Sequence, residues 1–328
     1  MEMEKVVVNS KEKTVDLKYL IKNSGILIGL LLMGIVFTIL SENFLTVNNL
    51  LTIALQTSVI GVLAIAETYA IITSGIDLSV GSVLAVSGVV SGKLMVYGVP
   101  VPISILAGLA VGTLCGLLTG LAITKLEIAP FIATLGMMSI ARGAAYIITG
   151  ALPVSGLPES FYVIGGGKVL GIPVAVLIMF ALAFIFGFIL RKTTFGRYVY
   201  CLGSNEDAAQ LSGINVDRTK IGVYMISGLL AAAAGIILAS RLVSAQATAG
   251  LSYEMDGISA AIVGGCSPLG GVGKIRETII GAFVIGVLRN GLNLLSVSAF
   301  WQQVAIGLVI IFAVALDTYR RKKTAKIM

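Results

Sequence analysis

The sequence of 328 residues contains no histidine. The commonest general base, proton relay and zinc ligand are therefore missing together. No cluster of carboxylates offers an acid and base pair in their place, which argues against a membrane-embedded enzyme. Charge is scarce as well: 12% of the residues are Asp, Glu, Lys or Arg, about half the roughly 25% of soluble domains. The three cysteines, Cys115, Cys201 and Cys266, are odd in number and far apart, so they do not form a disulfide framework and read as small packing residues. Aromatics are a modest 7%, whereas 57% of the chain is hydrophobic and 39 residues are glycine. With a mean hydropathy of +1.01, this composition specifies an all-α polytopic membrane protein whose helices pack closely through small residues.

Apolar runs of roughly 17 to 25 residues are spanning candidates, and about ten occur: near 24–40, 50–72, 79–97, 101–124, 130–149, 172–190, 219–241, 254–270, 273–292 and 300–317. Some of these are expected to be broken, because "VGGCSPLGGVG" (263–273) is too rich in Gly and Pro for one regular helix. Pro102, Pro130 and Pro173 fall in the first turn of their spans, where a missing N–H costs nothing. An even number of spans puts both termini on one side. With that side cytoplasmic, the inner segments collect 18 of the 23 Lys and Arg, as the positive-inside rule requires. The basic balance thus serves orientation and needs no nucleic acid. Residues 1–23 mix acidic and basic residues, unlike a signal peptide, and are expected as a cytoplasmic tail. Residues 24–318 then form a single transmembrane domain, and 319–328 a basic inner tail.

The stretch "TSGIDLSVGSVLAVSG" (73–88) breaks the second and third apolar runs apart. Glycine allows a tight turn there, and Asp77 or Ser79 can cap the following helix. Gly81, Ser82, Ser87 and Gly88 then place small residues on one helix face, either for close packing or as the wall of a polar path. Two charges, Glu67 and Arg142, fall inside proposed spans, where an ionisable group is a functional candidate by default. Either they pair with each other across the bundle or they line a path for a polar solute. Gln56, Thr134, Gln302 and Gln303 carry neutral donors and acceptors for the same path, or serve as interhelical glue. The run "SAQATAG" (244–250) lies outside in this topology, as an outer gate, a docking surface or an ordinary loop.

The longest polar loop, 191–220, lies inside. Ser204 can cap a helix of about two turns that carries Glu206 and Asp207 in its first turn, continues through Ala208 and Ala209, and ends at Gly213. So short a helix is marginal alone in water, so it packs on its own protein or docks on another. The stretch "GGCSPLGGVGKIRET" (264–278) fails as a phosphate-binding loop, which needs G-x-x-x-x-G-K-[ST]. Pro268 stands at the first glycine position and Ile275 follows Lys274. Any ATP must therefore be handled by a separate subunit, and no cofactor or metal is expected in this chain.

Four stretches carry a family likeness: "ITSGIDLSVGSVLAVSG" (72–88), "PFIATLGMMSIARG" (130–143), "GRYVYCLGSNEDAAQLSGINVDRTK" (196–220), and "SAQATAGLSYEMDGISAAIVGG" (244–265) with "NGLNLLSVS" (290–298). In these, from about residue 50 to 318, the chain resembles the membrane permease subunits of bacterial ABC importers for simple sugars, and most of all those for ribose. The resemblance implies a homodimer in the bacterial inner membrane, working by alternating access with a cytoplasmic ATPase and an outer sugar-binding protein. It also implies that Ser204, Asn205, Glu206, Asp207, Ala208, Ala209 and Gly213 form the coupling helix that seats in that ATPase. Glu67, Ser82, Thr134, Arg142 and Gln302 remain the candidates for the translocation path. The competing expectation is a secondary transporter, with ions bound at broken helices over 73–81 and 264–273.

Overall fold

The computed structural model describes residues 25–325. The expected N-terminal tail and Lys326 lie outside the described residues. The chain is helical almost throughout, in the order α1 (Gly25–Leu40), α2 (Val47–Ile72), α3 (Val80–Val96), α4 (Val101–Lys125), α5 (Pro130–Thr149) and α6 (Glu159–Gly166). There follow a small hairpin of β1 (Lys168–Val169) and β2 (Ile172–Pro173), then α7 (Val174–Lys192), α8 (Thr194–Ser204), α9 (Glu206–Leu211) and α10 (Val216–Leu242). The last elements are α11 (Tyr253–Val263), α12 (Ile275–Leu294) and α13 (Ala299–Ala325). Two prolines act as expected, Pro102 in the first turn of α4 and Pro130 opening α5, whereas Pro173 ends β2 and precedes α7 as its N-cap residue.

Five helices, α2, α4, α5, α7 and α10, are long and apolar enough to cross a membrane, and α1, α3 and the start of α13 are shorter apolar helices. The expected span at 254–270 is corrected. It is helical only over Tyr253–Val263, roughly 16 Å at 1.5 Å per residue, or about half the hydrocarbon thickness. Gly265, Gly270 and Gly271 all have positive φ, and this backbone holds 264–274 as a turn between two helices. At the C-terminal end, α13 runs on to Ala325, through most of the expected basic tail.

Two helices form the interior. Every residue of α2 from Thr57 to Ile72 is buried, and in the apolar windows of α2 and α10 the buried shares are 61% and 67%, against 22–28% for α4, α5 and α7. The first pair is therefore wrapped by protein, while the others turn Leu106, Leu118, Ile140, Ile147, Phe180, Phe184 and Phe188 outward, as lipid-facing helices do. What lets α10 sit so deep is glycine. Along α4, Ser104, Gly108, Gly112, Gly116 and Gly120 recur at every fourth position, all buried, and so share one face. A methyl group at Gly112 would overlap the Gly228 carbonyl, and one at Gly116 the Tyr224 carbonyl, both on α10. Two turns further along the same face of α10, a methyl at Gly235 would strike the Leu84 carbonyl of α3. Backbone of α10 thus meets the backbone of both α4 and α3.

Candidate functional site

The long polar loop folds into two consecutive short helices, of which the sequence reading foresaw one. In α8, Gly196, Val199, Leu202 and Gly203 are buried, an amphipathic spacing. The Thr193 side chain caps its start by accepting from Gly196 N at 3.2 Å. The cap of α9 is a correction to the sequence reading. Asn205 takes that role, its Oδ1 accepting from Ala208 N at 2.9 Å, whereas Ser204 closes α8 and donates its hydroxyl to Tyr200 O at 2.9 Å. The reason is positional: the cap residue must be extended, and Asn205 is (φ −165°, ψ 109°) while Ser204 is still helical. Glu206 and Asp207 then sit in the first turn, where the helix dipole favours negative charge. Gly213 ends the element with φ +82°, the left-handed geometry that glycine adopts most readily.

Almost nothing covers α9. Of residues 206–213 only Ala209 is buried, and Leu211 is 90% exposed. Beside it runs an open groove of about 370 Å³, lined by Gln210, Gly213, Ile214, Asn215, Val216 and Asp217. Ion pairs hold the loop in place: Lys220 with Glu206 at 2.6 Å and Lys125 with Asp217 at 2.5 Å. A short, capped, exposed helix with an apolar tip and an adjoining groove can receive a protein partner. At its rear, Tyr200 of α8 donates to Gly273 O at 2.7 Å. Burial pushes the Tyr200 phenol up from its ordinary value, so it stays a neutral donor.

The second candidate region surrounds the break between α2 and α3. Asp77 is 2% exposed. Its Oδ1 accepts from Ser79 N at 3.0 Å and from Ser79 Oγ at 2.6 Å, and its Oδ2 accepts from Ser227 Oγ at 2.6 Å. The carboxylate therefore holds Ser79, the residue from which α3 starts, and pins the break to α10, with both oxygens engaged inside the protein. Glu67 is fully buried, with Oε2 accepting from Asp77 N at 3.4 Å and Oε1 without a partner. The expected pairing of Glu67 with Arg142 does not form. Arg142 donates instead to Ala247 O at 2.5 Å and Ala249 O at 2.7 Å, clasping the 244–250 run to α5. That run is also tied to residue 154 through an isolated bridge between Val154 and Ala245.

Of the remaining path candidates, Thr134 and Ser82 lie beside this break and the glutamines do not. Thr134 donates to Ile76 O at 3.3 Å beside the break, and Ser82 is buried one turn into α3. Gln302 lies at the other end of the chain, donating to Asn293 Oδ1 at 2.7 Å and Val297 O at 3.0 Å, where it joins the end of α12 to the start of α13. Gln56 is half-buried and Gln303 exposed. The small-residue face of α3 is used for packing. Gly88 lies against Gly235, Ser87 against Gly112, and Gly81 against Gly250 and Glu254. One pair escaped the sequence reading: Arg289 of α12 and Asp256 of α11 meet at 2.7 Å, the latter 1% exposed. Their charges, inside apolar runs and without any other explanation, were the signal.

A family model described as branched-chain amino acid transport system / permease component matches residues 49–314. The chain is 44% identical over 306 residues to the ribose import permease protein RbsC of Haemophilus influenzae, covering 92% of this chain and 94% of that one. With the ribose import permease protein RbsC of Bacillus subtilis it shares 43% over 318 residues, covering 96% and 98%. With the L-arabinose transport system permease protein AraH of Escherichia coli it shares 40% over 298 residues, covering 91% of each. No solved structure matches.

Proposed function

This chain belongs to the branched-chain amino acid transport system / permease component family, and from that membership we propose that it is the transmembrane subunit of an ABC importer for ribose. It is a multi-pass protein of the bacterial inner membrane and a transport subunit rather than an enzyme. The observation that carries the cargo assignment is the likeness to ribose import permeases over more than nine-tenths of both chains. The likeness to the L-arabinose permease makes arabinose the sugar against which ribose must be tested. The permease works with an ATPase and an outer sugar-binding protein, and ATP and magnesium are handled by the ATPase. Two copies of the chain form the pathway, with both termini cytoplasmic. In each copy α9, capped by Asn205 and exposed from Glu206 to Gly213, docks in the ATPase. Closure of that partner on ATP draws the two α9 helices together and drives the bundle between its inward-open and outward-open states.

The test is uptake of radiolabelled sugar in cells that lack their own ribose permease and carry this chain with its ATPase and binding protein. Ribose should accumulate well above arabinose in an ATP-dependent manner; accumulation of arabinose alone would overturn the cargo assignment. Sugar uptake by the purified chain alone in vesicles, driven by an ion gradient, would overturn the ABC assignment itself.

A further inference from the structure

We propose that the turn segment 264–274 is a strut that carries movement of the docking helices into α2 and the half-helix α11 together, and that Tyr200 and Ser74 are its positioning residues. This rests on the reading of α9 as the ATPase-docking helix and adds the route by which its displacement reaches the membrane.

α9 grips the bundle lightly: Ala209 is its one buried residue, and Glu206 pairs with Lys220 of α10 at 2.6 Å. It follows α8 with only Asn205 between them, so a push on α9 passes to the end of α8 as well as, through the Glu206 pair, to α10. There the packing is tight. A methyl at Gly203 would overlap the Ile72 carbonyl, and Gly271 N lies on the same side. The strut closes the contact. Gly271 N donates to Ile72 O at 2.9 Å, which supplies a last-turn carbonyl of α2 with the partner it lacks inside its own helix. Tyr200 binds the strut at Gly273 O. Ser74 Oγ lies between the Gly203 carbonyl at 3.4 Å and the Leu269 carbonyl at 3.1 Å, within reach of both α8 and the strut.

The segment is no slack loop. Ser267 N donates to Val272 O at 2.9 Å, Gly270 N to Ser267 O at 2.9 Å, and Leu269 N to Ser267 Oγ at 3.2 Å. Cys266, 2% exposed, is wedged beside Thr68 of α2 and Thr278 of α12, whose hydroxyls meet at 2.8 Å. A self-bonded turn jammed between two helices passes on displacement that a flexible loop would absorb. Ser74 itself has φ +61°, an uncommon conformation for a residue other than glycine, and its two carbonyl contacts help to hold it. Five residues further along lies Ser79, the partner of Asp77, so displacement of the α2 end arrives directly at the α2–α3 break. At its other end the strut leads into α11, which Asp256 and Arg289 lock to α12.

The experiment uses the complete transporter, permease with ATPase and ribose-loaded binding protein, in lipid nanodiscs. Tyr200→Phe removes one hydrogen bond. Ser74→Gly removes the hydroxyl while keeping a residue that tolerates positive φ. Each should leave ATPase stoichiometry and basal hydrolysis unchanged, yet lower the stimulation of hydrolysis by ribose-loaded binding protein about fivefold, as expected for one net hydrogen bond; the double variant should fall more than tenfold. Stimulation and uptake equal to the unmodified protein in the assembled double variant would overturn the proposal. If the double variant does not assemble, Tyr200→Phe alone decides by the same criterion. Glu206→Lys separates the two readings: release of the ATPase supports docking through α9 whatever the strut variants do. Retention of the ATPase at full affinity would overturn docking and strut together.

Discussion

Asp77 is a carboxylate deep inside a membrane protein, and its three acceptor contacts, two from Ser79 and one from Ser227, account for it as a brace of the α2–α3 break. Asparagine can accept from Ser79 N with the same oxygen, and its amide can donate to a rotated Ser227 hydroxyl. Asp77→Asn should therefore keep assembly and ribose uptake near those of the unmodified protein. Asp77→Leu strands two or three buried donors at about 1–3 kcal/mol each and should cut the yield of folded protein in membranes. Loss of uptake in a well-assembled Asn variant would instead make Asp77 a solute ligand. Glu67 differs, because one of its oxygens is buried without a partner and neither carboxylate joins an ion pair among the described residues. Glu67→Gln keeps an acceptor for Asp77 N and removes a charge that burial penalises. Thermal stability of the purified variant should be equal or higher; a marked drop would mean that the ionised form is needed. The sequence alone made the start of α3 at Ser79 legible, since the turn and the helix are local. It could not show that Arg142 answers to backbone carbonyls rather than to Glu67, because those carbonyls lie more than 100 residues away.

At the scale of elements, the contact of α4 with α10 leaves no room for side chains. Gly116→Val places branched carbon against the Tyr224 carbonyl, an overpacking that costs about 1–3 kcal/mol or more where backbone cannot retreat. Gly136, with nothing near it, is the control. Fluorescence-detected gel filtration should show loss of the folded peak for Gly116→Val and a normal peak for Gly136→Ala. A similar contrast applies to the lock between α11 and α12. Arg289→Met leaves Asp256 buried and unpaired and should destabilise by about 3–5 kcal/mol, while Arg289→Met with Asp256→Leu should recover most of it. Failure of the double variant to recover would show that Asp256 has another role. The abundance of glycine announced close packing, and the G-x-x-x-G spacing along 108–120 was there to be read. The partner of that face was not, because spacing shows which residues share a face but not what the face meets.

For the whole molecule, the proposed orientation makes a prediction about thiols. Cys201 is exposed on α8, Cys266 is buried and Cys115 is half-buried in the apolar helix α4. A membrane-impermeant maleimide should thus label Cys201 alone, in inside-out vesicles and not in intact cells. Labelling from the outer face would reverse the topology and place α9 away from any cytoplasmic ATPase.

Composition and apolar periodicity by themselves determined an all-helical multi-pass protein, its helix starts at Pro102 and Pro130, and a short helix within 204–213, because each follows from a local property of the chain or from its solvent. The family likeness was equally legible, since it is carried by contiguous stretches. Tertiary structure decided the rest. It moved the cap of α9 from Ser204 to Asn205, shortened the expected span at 254–270 to a half-helix, and turned the small-residue face of α3 into a packing surface. It also divided the path candidates, placing Glu67, Ser82 and Thr134 around the α2–α3 break and Gln302 at the joint of α12 and α13. These outcomes depend on which backbone comes within a few ångströms of which, and that is set by packing between segments far apart in the chain.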